Sequence, residues 1–297
     1  MIIVNLKGGL GNQMFQFATG YCLSKRNGTN IIFDTRLMEE YKINPPPRNP
    51  PRNFDLDIFG IKEKTATSGD LLKVLQFPKN YRVRKLISSI LDFFNTFVYV
   101  EKTRLLDSRI IKCKKKNLYI DGHWQMEEYF KDYRNELINL FNFDSLKNIE
   151  NNINFIKNVS PLNSICVNVR RTDFINNPEH NVVDIEYYKK AINKFKELKG
   201  NDLELFIFSD DLDWCKKNFS FFKKTNYIEH DHAGNKFYNY LYLMTNFTNF
   251  IIPNSSFAWW GAWLSQKKNK TIIAPHKWSG LNQENMDATV PKNWIKL

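Results

Sequence analysis

Two stretches of this chain share one plan, and that plan restricts the fold more than any other feature. Residues 2–6 and 164–169 are short runs of β-branched and apolar side chains, as buried strands require. The first leads through Gly8-Gly9-Leu10-Gly11 into a segment with Met14, Phe17, Ala18 and Tyr21 at helical spacing, and 31–34 reads as the next strand. The second opens a longer series: helix 186–198, strand 203–208, a helix from about Leu212, a helix near 237–246, strand 249–252, a helix from about Ser256, and strand 271–274. Tyr188, Ala191, Ile192, Phe195 and Leu198 give segment 186–198 its apolar stripe. Strands alternating with helices predict parallel sheets with helical cover.

The polar stretch 147–154 separates the two series, so the expected domains are 1–150 and 151–297. Residues 40–145 are less regular. Within them, the prolines of 44–52 preclude a helix or central strand and predict an extended loop. Residues 82–100 carry Leu86, Ile87, Ile90, Leu91, Phe94 and Phe97 at helical spacing behind Arg82, Arg84 and Lys85. They read as a core-facing helix with a charged start, ahead of a basic amphipathic helix lying on anionic lipid.

Hydrophobic content of 42% over 297 residues suffices for two cores and argues against disorder. A net charge of +12 favours anionic partners, or else merely solvates the surface. Cys22, Cys113, Cys166 and Cys215 are scattered, which suits a reducing cytosol and argues against a zinc or disulfide framework. No apolar run reaches the roughly 18 residues of a membrane span, and the apolar start is too short for a secretory signal. The expected location is cytoplasmic, with the basic surface available for peripheral contact with an anionic inner membrane.

Chemistry concentrates at strand ends. Strand 164–169 delivers Arg170-Arg171-Thr172-Asp173, and ligands of open α/β sheets bind at the carboxyl ends of strands. Arginine forks fit phosphate oxygens two at a time, so this end suits a phosphorylated ligand with a carboxylate nearby. Gly8, Gly9 and Gly11 permit close backbone approach before a helix start, but Met14 stands where a full dinucleotide fingerprint has its third glycine. Asn12 and Gln13 place two amides at that loop tip, suited to sugar hydroxyls, and Asp34 ends the next strand as a ribose-binding acid would. Ser209, Asp210 and Asp211 end strand 203–208; one of them is expected to cap the following helix and another to touch a base or ribose. Asp211-x-Asp213 and Asp55-x-Asp57 have the form of metal-holding pairs, though chance explains such pairs better. Asn254-Ser255-Ser256-Phe257 pairs a helix start with hydroxyls, an anion site. Trp259, Trp260 and Trp263 wrap around that helix and read as packing.

Taken together, residues 2–16, Val169-Arg170-Arg171-Thr172-Asp173, Ser209-Asp210-Asp211 and residues 254–263 resemble the bacterial α1,2-fucosyltransferases of glycosyltransferase family 11. Asp121-Gly122-His123-Trp124-Gln125, with Tyr129-Phe130, is similar to a further segment of that family. The resemblance covers nearly the whole chain. It implies a GT-B-like α/β fold, with two Rossmann-type domains whose parallel sheets face a central cleft. It also implies inverting transfer of L-fucose from GDP-fucose to the 2-hydroxyl of a galactose unit, in O-antigen or oligosaccharide biosynthesis, with no metal or other cofactor.

By that resemblance the second domain holds the donor and the first the acceptor. Arg170 and Arg171 grip the pyrophosphate, opposed by Ser255 and Ser256; Asn168, Ser209, Asp210, Asp211, Asn254 and Phe257 complete the donor set. Asn12 faces the reacting sugars, and Trp124 and Gln125 stand on the acceptor side. Asp173 is the first candidate for the base that takes the acceptor proton, and its rival role is an ion pair orienting Arg171. Glu179 and His180 are the next candidates. Two departures matter: Asn168 stands where the family often has His, and Asn239-Tyr240 stand where relatives often carry an acidic pair. The competing classes are a nucleotide-sugar transferase of other linkage or metal dependence, a dinucleotide-dependent oxidoreductase, and a non-catalytic binder of nucleic acid or lipid. The oxidoreductase leaves the arginine pair unexplained. The binder accounts for the charge alone, and no nucleic-acid partner is expected.

Overall fold

The computed structural model describes residues 1–46, 51–75, 97–103, 105–280 and 288–297. Residues 47–50 of the proline-rich loop, and 82–96 of the segment read as a core-facing helix with a charged start, lie outside the described residues. The chain forms two compact units, Met1–Phe141 and Asn142–Leu297. The division precedes the expected boundary near 150 because the intervening residues pack onto the second unit. Phe143 stacks on Tyr238 with ring centroids 5.3 Å apart, and the Tyr238 hydroxyl donates to the Asn142 carbonyl at 2.7 Å.

The first unit runs β1 (Ile2–Asn5), α1 (Leu10–Arg26), β2 (Ile31–Asp34), α2 (Arg36–Ile43), α3 (Ser68–Leu75), β3 (Val98–Val100), α4 (Ser108–Lys112), β4 (Leu118–Asp121) and α5 (Arg134–Leu140). Its sheet has the order β2-β1-β4-β3 with every pairing parallel. Both β1 and β4 are buried along their length, which is why their sequences are apolar without alternation. Helix α1 lies directly on this sheet: a Cβ added at Gly20 would stand 2.3 Å from Val4 Cγ2 and 3.0 Å from Ile31 Cδ1. Lys25 and Arg26 close the helix, where cations suit the negative end of its dipole.

The second unit runs α6 (Glu150–Lys157), β5 (Ser164–Val169), α7 (Ile185–Lys199), β6 (Glu204–Ser209), α8 (Leu212–Asn218), β7 (Thr225–Tyr227), α9 (Tyr238–Met244), β8 (Asn249–Ile251), α10 (Ser256–Leu264), β9 (Thr271–Ala274) and β10 (Ile295–Lys296). Its six-stranded sheet is parallel throughout, in the order β10-β9-β8-β5-β6-β7. Counted from β5 as strand one, this is the Rossmann order 3-2-1-4-5-6, and the strand order reverses between β5 and β8. One face is sealed by Tyr188, Ala191, Ile192 and Phe195 of α7 against Val167, Leu205 and Ile207. Trp259, Trp260 and Trp263 of α10 are buried, as their packing role requires. All four cysteines are buried and free.

Substituting Gly20 by Ala is expected to destabilise the protein by about 1–3 kcal/mol, because the added methyl overpacks the α1–β1 contact. Thermal or denaturant unfolding reads this directly.

Candidate functional site

In the second unit the register of β5 against β6 builds the site. Val169 pairs with Ser209, so the chains leave the sheet with Arg170 beside Asp210. The Asp210 carboxylate then takes four donors from the arginine loop. Oδ1 accepts the Arg171 N–H at 2.9 Å, and Oδ2 accepts the Thr172 N–H at 3.1 Å, the Thr172 hydroxyl at 2.5 Å and Arg170 Nη1 at 3.1 Å. Asp210 is thereby spent on fixing the loop, and the expected nucleoside contact from it is not what the geometry provides. Asp211 is spent likewise: it caps α8 through the Trp214 N–H at 3.1 Å and accepts Arg171 Nε at 3.1 Å. Ser209 is buried, and its hydroxyl accepts the Asp211 N–H at 2.9 Å.

The two arginines have different surroundings. The Arg171 guanidinium lies 3.8 Å above the Trp214 ring, an arrangement that contributes about 0.5–2 kcal/mol. Held there and by Asp211, Arg171 braces the loop. Arg170 instead meets Asp173 through both Nε and Nη2, each at 2.8 Å. The carboxylate of Asp173 therefore pairs with Arg170, not with Arg171 as the rival expectation had it. Arg170 also sits over Phe174 at 5.9 Å, and Phe174 stacks on His180 at 5.0 Å.

Across the reversal point, β8 leads into α10, whose cap is Ser255. The Ser255 hydroxyl accepts the Ala258 N–H at 3.4 Å, and its carbonyl accepts Trp259 N–H at 2.9 Å. The first two amides of the helix, at Ser256 and Phe257, precede these bonds and are the ones the helix offers to an anion. Asn254, only 5% exposed, uses Nδ2 to bind the carbonyls of His180 at 3.0 Å and Trp278 at 3.1 Å. That amide fastens loop 178–180 to the start of α10, together with the Gly280 N–H donated to the Glu179 carbonyl at 2.9 Å. Asn168 is buried at the end of β5, with its carbonyl accepting the Tyr188 hydroxyl at 3.2 Å. Asn239 donates to the His232 carbonyl at 2.8 Å and accepts from Asn152 at 2.7 Å, so it is fixed in place.

In the first unit β1 and β4 flank the corresponding reversal. Gly8 has φ +77°, and a Cβ there would stand 2.4 Å from Asn12 Nδ2, so this position demands glycine. Gln13 is fully buried. Its Nε2 donates to the carbonyls of Gly8 at 2.9 Å and Asn53 at 2.8 Å, and its Oε1 accepts the Asp55 N–H at 2.8 Å. Gln13 therefore ties the glycine loop to segment 53–55 and has no amide left for a sugar. Asn12 keeps that capacity: Oδ1 accepts Gln125 Nε2 at 2.7 Å, while Nδ2 has no partner among the described residues. Trp124 has φ +53° and no exposed surface, and it packs edge-on against Tyr129 at 5.6 Å. It shapes the loop 122–126 from within and offers no stacking face. Glu101 holds that loop, accepting the N–H groups of His123 at 2.6 Å and Trp124 at 3.2 Å. Asp34 is no ribose ligand: Arg36 grips both its oxygens at 2.8 Å and the Tyr119 hydroxyl donates at 2.7 Å. Burial raises the cost of its charge, but these bonds outweigh it and hold the carboxyl below its ordinary range.

Among the described residues, no three His, Cys, Asp or Glu side chains converge on a metal position, and no helix is long and apolar enough to cross a membrane. Sequence reasoning missed Thr172, Trp214 and Glu101. Thr172 lay inside the arginine motif as its unremarked third residue. Trp214 and Glu101 carried no signal, because their roles depend on partners distant in sequence.

Residues 99–297 match glycosyl transferase family 11. An alpha-1,2-colitosyltransferase of Escherichia coli is 30% identical over 100% of this chain and 99% of its own length. The O-antigen biosynthesis glycosyltransferase WbnK of Escherichia coli is 28% identical over 98% and 99%. The crystal structure of fucosyltransferase NodZ from Bradyrhizobium superposes with a TM-score of 0.47 at 14% identity, covering 88% of this chain and 91% of that one.

Replacing Gln13 by Ala leaves two carbonyls and one N–H, those of Gly8, Asn53 and Asp55, without their part-buried bonds. A loss of about 1 kcal/mol per bond is the expected scale, so the variant is expected to unfold at lower denaturant. Wild-type stability in that variant would remove Gln13 from the loop's support.

Proposed function

The chain belongs to glycosyltransferase family 11, and on that premise we propose that it transfers L-fucose from GDP-fucose to the 2-hydroxyl of a galactose unit in a glycan, inverting the anomeric carbon. The observation that carries this reading is the placing of Arg170 and the start of α10 on either side of the strand-order reversal in the second unit. A guanidinium and two helix-end amides suit a diphosphate. Asn168, Asn254, Ser255, Ser256 and Phe257 line the same strand ends. The remaining donor-set residues, Arg171, Ser209, Asp210 and Asp211, support the donor from behind.

In the reaction the galactose oxygen bonds to the fucose anomeric carbon while the bond to the GDP oxygen breaks. Negative charge grows on the diphosphate as GDP leaves. Arg170 and the amides of Ser256 and Phe257 stabilise it, each preorganised donor contributing about 3 kcal/mol. The hydroxyl proton passes to a base: Asp173 is the first candidate and Glu179 or His180 the next. Asn12 Nδ2, with Gln125 bonded behind it, orients the sugars. No metal or other cofactor takes part. The activity serves surface-polysaccharide assembly, in the cytoplasm or against the inner membrane through the basic surface.

Transfer of colitose is the second reading, because the relative that is 30% identical over its whole length bears that name. The experiment is GDP release from GDP-fucose with and without lactose or N-acetyllactosamine, in chelator, with GDP-colitose in competition and product linkage read by NMR. Acceptor-dependent release and an α1,2-fucosyl product support the proposal. Release from GDP-colitose alone replaces the donor, and loss of activity in chelator removes the metal-independent mechanism.

Arg170→Ala is expected to lower kcat by about 100-fold or more, consistent with loss of a charge-stabilising donor, while the protein stays folded. Near-normal kcat in that variant would take Arg170 out of the mechanism.

A further inference from the structure

Arg170 carries a carboxylate on each side of its fork. Nε and Nη2 meet Asp173, both at 2.8 Å, and Nη1 meets Asp210 at 3.1 Å. All three guanidinium nitrogens are thus engaged, and the edge best suited to a two-oxygen ligand is taken by Asp173. A diphosphate can receive that edge only if the carboxylate leaves it.

The two carboxylates are held differently. Asp210 follows directly on β6, its side chain is 10% exposed, and it also binds the backbone of Arg171 and Thr172 and the Thr172 hydroxyl. Removing it from Arg170 would break the loop. The Asp173 side chain is 35% exposed and lies in the loop beyond the sheet, and its fork with Arg170 is an i,i+3 pair within that loop. A part-exposed pair of this kind is weakly held in water. The diphosphate of a bound donor carries more negative charge than one carboxylate and gains the amides of α10 in addition.

We propose that the two carboxylates have opposite roles: Asp210 fixes Arg170 permanently, and Asp173 occupies the fork of the empty protein and is displaced by the diphosphate of the donor. The exchange rests on the donor site described above and deepens it. Asp210 is then a positioning residue acting through the arginine loop. Asp173 leaves the Arg170 fork only when donor is bound, so its carboxylate turns to the reacting sugar at the step that needs one. No covalent bond changes in the exchange; one ion pair replaces another.

The test is GDP binding by calorimetry to the wild-type chain and to Asp173→Asn, Asp210→Asn and Arg170→Ala, with thermal unfolding of each. Removing the competing charge is expected to tighten GDP binding by Asp173→Asn several-fold while its kcat falls. Asp210→Asn is expected to weaken GDP binding at least tenfold. Thr172→Val, a milder change to the same anchor, is expected to weaken it in the same direction should Asp210→Asn not fold. Unchanged or weaker GDP binding by folded Asp173→Asn, with Arg170→Ala still deficient, overturns the exchange alone. If Asp173→Asn does not fold, Asp173→Ser carries the same criterion. GDP binding by Arg170→Ala as tight as wild type overturns the donor-site reading and the exchange with it.

Discussion

The parallel pairing of β5 with β6 on one side and β8 on the other governs the second unit. Parallel strands all end at one edge, so the loops after β5, β6 and β8 open at the same level. Because the strand order reverses at β5, those loops diverge and leave room for a ligand at that edge. The Arg170 loop, the Asp210 loop and the start of α10 are the three segments concerned. Each motif would be unremarkable alone, and the register is what converts them into one site.

Within that site, carboxylates do more to hold arginines than to meet a ligand. Asp210 receives two backbone amides, a hydroxyl and a guanidinium nitrogen, and Asp211 divides itself between a helix cap and Arg171. Charged groups anchored in this way have little freedom to reorganise when charge develops nearby, which is the condition under which preorganised donors act most strongly. The first unit follows the same logic with neutral groups. Gln13 secures the glycine loop from beneath, and Asn12 is left with a donor to spend.

Much of the fold was legible in the sequence because its strands are buried on both faces. Continuous apolar runs marked β5, β6 and β9 almost to the residue, and the stripe of Tyr188, Ala191, Ile192 and Phe195 marked α7. Strands β7 and β10 escaped notice because edge strands carry no such run: Thr225-Asn226-Tyr227 is half polar and part-exposed, and β10 is only two residues long. The strand ends that carry Arg170, Asp210 and the start of α10 were legible too, since they follow from the same apolar runs. The division of labour among them was not. Which of Asp173, Asp210 and Asp211 meets which arginine depends on pairings up to 40 residues apart in sequence. Gln13 shows the same limit: its amide looks available in sequence and is consumed by segment 53–55 in three dimensions.

Under the proposed function, the second unit holds a nucleoside diphosphate through Arg170 and the first amides of α10. Comparing GDP with GMP by calorimetry at fixed ionic strength tests it most directly. GDP is expected to bind at least tenfold more tightly, because the second phosphate is what the fork and the helix start receive. Equal affinity for GMP and GDP would contradict it.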